Sequence, residues 1–242
     1  MKPIAVITCA LLGLAPAAQA HQLWIEQPES GNAIVRFGEY GDNLREASPG
    51  LLDKFGKPTA TLISAKGEQA GAATKAADGF ALPFRASKGE SIVAEDADYP
   101  LYSFKKDGRE LWNWYRPAAR FITSFDALQP KLPLDLVPAG KPGEFVLSYR
   151  GKPLAETAVN LVTQSGWAKE GHTDAQGKVS FDLPWKGTYV AEAAHTDSTP
   201  GQRQGAKGAE KYEAVNYVTS VTFVQAEGLA PIPAGPAAPP NK

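Results

Sequence analysis

Three histidines, His21, His172 and His195, are the residues of this chain with the clearest chemistry to offer. His21 stands directly after Ala18-Gln19-Ala20, which follows a basic start at Met1-Lys2 and an apolar run from Ile4 to Leu14. That order is the pattern of a secretory signal peptide with a small-residue cleavage site. The mature chain is therefore expected to begin at His21. A terminal histidine brings two donors on one residue: an α-amine, with a reference pKa of about 7.7–8, and an imidazole Nδ1 that closes a chelate ring with it. A second histidine folded against it would complete a three-nitrogen metal site. The plainer alternative is that cleavage had to leave some residue first.

His195 is the expected partner. It follows a strand over residues 187–194, and Asp197 shares its face if that strand continues, adding a carboxylate to the imidazole. His172 directly precedes a Thr173-Asp174 turn and is the weaker candidate, since such a histidine is more often a surface strand end. Asp174 most simply caps its own turn. Nitrogen and oxygen donors suit a divalent transition metal, with Cu, Ni or Co foremost and Zn and iron open. The only cysteine, Cys9, and the only methionine, Met1, both precede His21, so thiolate and thioether ligands are not expected in the mature protein.

Other chemistries find less support. The sequence has no Gly-x-Ser-x-Gly elbow, no phosphate-cradling glycine loop and no His-Glu-x-x-His helix. Two function classes compete with a metal carrier. A copper histidine-brace oxidative enzyme would use His21 and one further histidine, and a non-metal carbohydrate- or protein-binding module would present Tyr102, Trp112, Trp114 and Tyr115.

The elements that must position these residues read as all-β. The chain carries 23 glycines and 20 prolines among short runs of Val, Thr, Tyr and Phe, a turn-rich composition. Alternation marks strands over residues 22–26, 33–37, 59–64, 79–84 and 91–95, then over 144–149, 158–163, 178–183, 187–194 and 214–224. Residues 38–53 read as a loop with a short helix. Residues 95–125 crowd acids, aromatics and arginines around Pro100, Gly108 and Pro117, and read as a long connection whose aromatics plug a sandwich end or form a ligand surface. Residues 132–143 look like an inter-domain joint and 200–211 like an excursion. The resulting organisation is a signal peptide at 1–20, an N-terminal β-sandwich at 21–130, a C-terminal immunoglobulin-like β-sandwich at 131–228 and a disordered Pro/Ala-rich tail at 229–242. With 25 basic and 26 acidic residues there is no basic footprint for nucleic acid. No apolar run after the first approaches the roughly 20 residues of a membrane span.

Several stretches carry a resemblance. His21-Gln-Leu-Trp-Ile-Glu26, Gly151-Lys-Pro-Leu-Ala-Glu-Thr-Ala-Val159, Thr173-Asp-Ala-Gln-Gly177, and Gly187-Thr-Tyr-Val190 through His195-Thr-Asp197 resemble a family of exported proteins. Its members carry a domain of unknown function and are described as a periplasmic component of cobalt or nickel uptake. The resemblance implies two β-sandwich domains, a periplasmic location and a metal-related role. Besides the metal ion, a membrane transporter or an outer-membrane receptor is the partner it implies.

Overall fold

The computed structural model describes residues 21–205 and 208–241. The expected signal peptide at 1–20 lies outside them. Among the described residues the chain is all-β apart from one 3-10 turn, Leu51–Lys54. The first half supplies β1 (Gln22–Glu26), β2 (Ile34–Glu39), β3 (Leu44–Arg45), β4 (Thr59–Ser64), β5 (Gly67–Ala72), β6 (Thr74–Ala76), β7 (Gly79–Ala81), β8 (Ser91–Glu95), β9 (Tyr102–Lys106) and β10 (Arg109–Ile122). The second supplies β11 (Leu134–Pro138), β12 (Glu144–Tyr149), β13 (Lys152–Pro153), β14 (Ala158–Thr163), β15 (Ala168–His172), β16 (Lys178–Ser180), β17 (Gly187–Asp197), β18 (Gly201–Gly205), β19 (Gly208–Tyr212) and β20 (Ala214–Gln225).

One long sheet runs through both halves in the order β15-β14-β17-β20-β10-β8-β4-β5, with β9 paired to β10. The boundary expected at 130/131 falls between β10 and β11, yet strands from either side of it share this sheet. The joint is the parallel pairing of β10 with β20, from Asn113 opposite Ala214 to Phe121 opposite Thr222. Two smaller sheets pack on it. One holds β1-β2-β7-β6 with β3 beside β2, and the other holds β11-β12-β13 with β16 beside β12.

Period-2 alternation along β10 assigns the faces. Ala119 and Phe121 join Leu23, Ile25, Val35 and Phe37 of the first small sheet in one core. Ile122 and the odd-numbered residues Val221 and Phe223 of β20 join Leu134, Leu136, Phe145 and Leu147 of the second small sheet in another. The two small sheets thus cover opposite faces of the long one. Edge strand β1 lies against β20, where the Ser220 hydroxyl donates to the Leu23 carbonyl at 2.6 Å and the Ile25 amide reaches Thr222 Oγ1 at 3.4 Å. These side-chain hydroxyls occupy an edge that would otherwise present unpaired amides.

Two expectations are corrected. Residues 95–125 are not a long connection, because β10 is a 14-residue strand through Pro117. Proline is tolerated there because β9 pairs with β10 only through Asn113 and β8 only from Ala118, so no antiparallel ladder bond is required of its missing N–H. Residues 132–143 contain a fully buried strand, β11, in place of a linker. The segment after Leu229 is pinned to the body of the protein, with the Lys186 amide donating to the Leu229 carbonyl and Asn43 Nδ2 donating to the Gly235 carbonyl at 2.8 Å.

A buried ion pair ties β10 to β11. Arg120 and Asp135 are 1% and 0% exposed, with Nε to Oδ1 at 3.0 Å and Nη2 to Oδ2 at 2.5 Å, and the Lys131 and Leu132 amides also donate to Oδ2. Removing one partner of such a pair strands the other charge in a dry site, at a cost of about 3–5 kcal/mol. Asp135→Ala is therefore expected to lose stability on that scale in urea unfolding. A loss under about 1 kcal/mol would show that the pair is solvated.

Candidate functional site

His21 directly precedes β1, and its ring packs against Phe37 with centroids 5.1 Å apart. Its main chain is fixed by Tyr115 of β10, whose hydroxyl donates to the His21 carbonyl at 2.5 Å. Each ring nitrogen meets a different carboxylate. Nε2 lies 2.5 Å from Glu46 Oε1, and Nδ1 lies 3.2 Å from Glu39 Oε1. Glu46 is fully buried.

The local fold explains this arrangement. Glu39 ends β2, the strand that pairs β1 with Gln22 opposite Gly38. Glu46 follows β3, which turns back on β2 so that the Glu46 amide donates to the Phe37 carbonyl at 2.8 Å. That return passes so close over Gly38 (φ 144°) that a Cβ there would stand 2.3 Å from the Leu44 carbonyl oxygen. Only glycine fits.

Glu192 of β17 adds a third carboxylate. Val190 packs with Trp24 and Tyr40 of the first small sheet, and Glu192, two residues on, shares that face. Its Oε2 is buried and, among the described residues, finds no hydrogen-bond partner. Burial first, and then the negative charge of Glu39, push its carboxyl up to about 7. Glu39 is also raised, by burial, by the neighbouring Asp42 carboxyl and by the charge of Glu46, with His21 opposing. Burial, and in smaller part the charge of Glu192, drives the Tyr115 phenol well above its ordinary range, so it stays a neutral donor.

The other expected site residues lie elsewhere. His195 is not brought to His21, because odd-numbered residues of β17 face the second small sheet. Its ring sits against Tyr149 with centroids 4.5 Å apart. Asp197 accepts from the Tyr149 hydroxyl at 2.6 Å and from Arg150 Nη2 at 3.1 Å. The Tyr149 hydrogen bond, followed by Thr199 and Arg150, holds its carboxyl down at about 2. His172 ends β15 in solvent, its side chain 61% exposed and 3.9 Å from Glu170. Among the described residues no three His, Cys, Asp or Glu side chains form a ready metal cage.

Sequence reasoning missed Glu39, Glu46 and Glu192. Only Glu192 left a signal, as a lone acid inside the otherwise uncharged run Thr188-Tyr-Val-Ala-Glu-Ala-Ala194. The family model of a domain of unknown function, DUF4198, matches residues 118–197, from the second half of β10 to the end of β17. The match contains Glu192, His172, His195 and Asp197, and leaves His21, Glu39 and Glu46 outside it. No curated protein matches the chain.

The raised Glu192 carboxyl has a definite consequence for stability. A carboxyl whose pKa is higher folded than unfolded penalises the native state once ionised, so stability falls as pH rises from about 4.5 to about 7 and is level beyond. Glu192→Gln removes this component. In metal-free protein the variant is expected to gain on the parent between pH 5 and pH 8, by at most ~3 kcal/mol. Urea unfolding at both pH values checks it, and a stability difference that does not change with pH would contradict the placement of Glu192.

Proposed function

We propose that this is an exported, periplasmic protein that binds a divalent transition metal through a mature N-terminal His21 and serves metal handling or uptake. The observation that carries the reading is the division of labour on the His21 ring. Buried Glu46 engages Nε2, as the carboxylate behind a metal-ligating histidine does, fixing ring and tautomer. Nδ1 is thereby left as the ligating atom, and Nδ1 is the nitrogen that chelates together with the residue's own α-amine.

Glu39, beside Nδ1, supplies an oxygen donor on the same side of the ring. Glu192, with a buried oxygen in want of a partner, faces Glu39 as a like charge. A divalent cation held by the amine, Nδ1 and Glu39 would relieve both carboxylates. The donor set is mixed nitrogen and oxygen, which suits Cu(II), Ni(II), Co(II) or Zn(II), with intrinsic affinity greatest for copper. The carboxylates thus replace the second histidine anticipated from sequence.

The decisive experiment compares protein beginning at His21 with protein that keeps Ala20 in front of it, each titrated with Ni(II) and Cu(II) by calorimetry. An added residue converts the α-amine into an amide and is expected to weaken binding beyond the roughly 10- to 100-fold typical of changes to groups that only support a ligand. Glu39→Gln is expected to weaken it as well, whereas His195→Ala, remote on Tyr149, leaves it unchanged. Because the ligating nitrogens must shed protons, affinity should fall on acidification. Equal affinity with and without Ala20 would overturn the reading.

A further inference from the structure

The segment from Leu229 to Asn241 runs back along the molecule and ends on the His21 site. The Lys186 amide donates to the Leu229 carbonyl and the Leu229 amide to the Pro184 carbonyl, at 2.9 and 2.8 Å. Pro231, Ile232 and Ala234 then border a hollow with Tyr40, Trp185 and Lys186. Asn43 holds the Gly235 carbonyl, and Ala238 forms a parallel bridge with Leu44 beside β2. At the end Asn241 takes both oxygens of Glu46. Its main-chain amide donates to Oε2 at 2.9 Å and its Nδ2 to Oε1 at 2.6 Å, with Nδ2 also 3.2 Å from His21 Nε2.

We propose that residues 229–241 form a strap whose Asn241 is a positioning residue: it fixes the Glu46 carboxylate and, through it, the orientation of the His21 ring. A carboxylate without solvent exposure needs donors on both oxygens. Besides the His21 ring, the donors that Glu46 receives among the described residues come from Asn241. The strap reaches the ring on the Nε2 side, opposite the Nδ1 side where Glu39 stands, so it completes the site without covering its open face. The remaining tethers are few: the hydrogen bonds of Leu229 and Gly235 and the bridge of Ala238 to Leu44. No residue of the strap belongs to either of the two large cores.

The functional consequence rests on the metal reading above, whereas the positioning itself does not, and the experiment separates them. Processed protein starting at His21 is prepared as parent, as Asn241→Ala and as a chain ending at Gly228. The first readout is the 15N spectrum of the His21 ring in metal-free protein at fixed pH, which reports whether the proton is held on Nε2. The second is Ni(II) affinity by calorimetry. Parent protein is expected to show a single Nε2–H tautomer, and both variants a mixed signature with affinity lowered about 10-fold. Asn241→Ala keeps the rest of the strap, so it decides the matter even where the shortened chain fails to fold. A ring signature in Asn241→Ala identical to the parent's would overturn the proposal. A changed signature in protein that binds no Ni(II) in any form would uphold the positioning role and overturn the metal reading instead.

Discussion

The parallel pairing of β10 with β20 is the constraint on which the rest of the molecule depends. Parallel neighbours far apart in sequence cannot be joined by a tight turn, so this contact must close a loop of about a hundred residues before its hydrogen bonds form. Once made, it sets the faces of both strands together. Ala119 and Phe121 then meet the sheet that carries His21, while Arg120 and Ile122 meet the other. The same alignment brings Ser220 and Thr222 under β1 and Tyr115 under the His21 carbonyl. The start of β1 is therefore held from below by a strand pair built from both halves of the chain.

Around the start of β1 the protein concentrates like charge. Glu39 and Glu46 each meet a nitrogen of one imidazole, and Glu192 lies within reach of the charge of Glu39, although a buried carboxylate costs free energy unless paired. The three are treated differently. Glu46 is satisfied on both oxygens, by His21 and Asn241. Glu39 is raised by burial, Asp42 and the charge of Glu46, Glu192 by burial and the charge of Glu39, and one Glu192 oxygen has no partner among the described residues. A structural cluster would be expected to pair such groups. Under the function proposed above, a cation on Nδ1 and Glu39 would relieve the two raised carboxylates.

Much of the fold was legible because short strands bounded by Gly, Pro and Asp announce themselves through alternation. β1, β4, β8, β12 and β14 fall on the residues that the pattern marks. β10 was hidden by Pro117, whose tolerance depends on which neighbours pair beside it, and β11 by Pro133 before it and Pro138 at its end. The location of the site was legible in part. His21 could be singled out from its neighbours in sequence, but its partners could not, because Glu39 and Glu46 reach it through the pairing of β2 with β1 and the return of β3, and Glu192 is placed by which face of β17 turns towards β1. Odd-numbered His195 and even-numbered Glu192 lie three residues apart on opposite faces, and only packing decides between them. Glu46 gave no signal at all, since its burial arises from the return of β3 and the arrival of Asn241 from the far end of the chain.

The most direct test of this account is pulsed electron paramagnetic resonance on Cu(II)-loaded protein beginning at His21, prepared with natural and with 15N-labelled histidine. The account predicts two directly bound nitrogens from one residue, the α-amine and Nδ1, and the remote Nε2 of a single imidazole. Signals from two imidazoles, or coordination through Nε2 of His21, would contradict it.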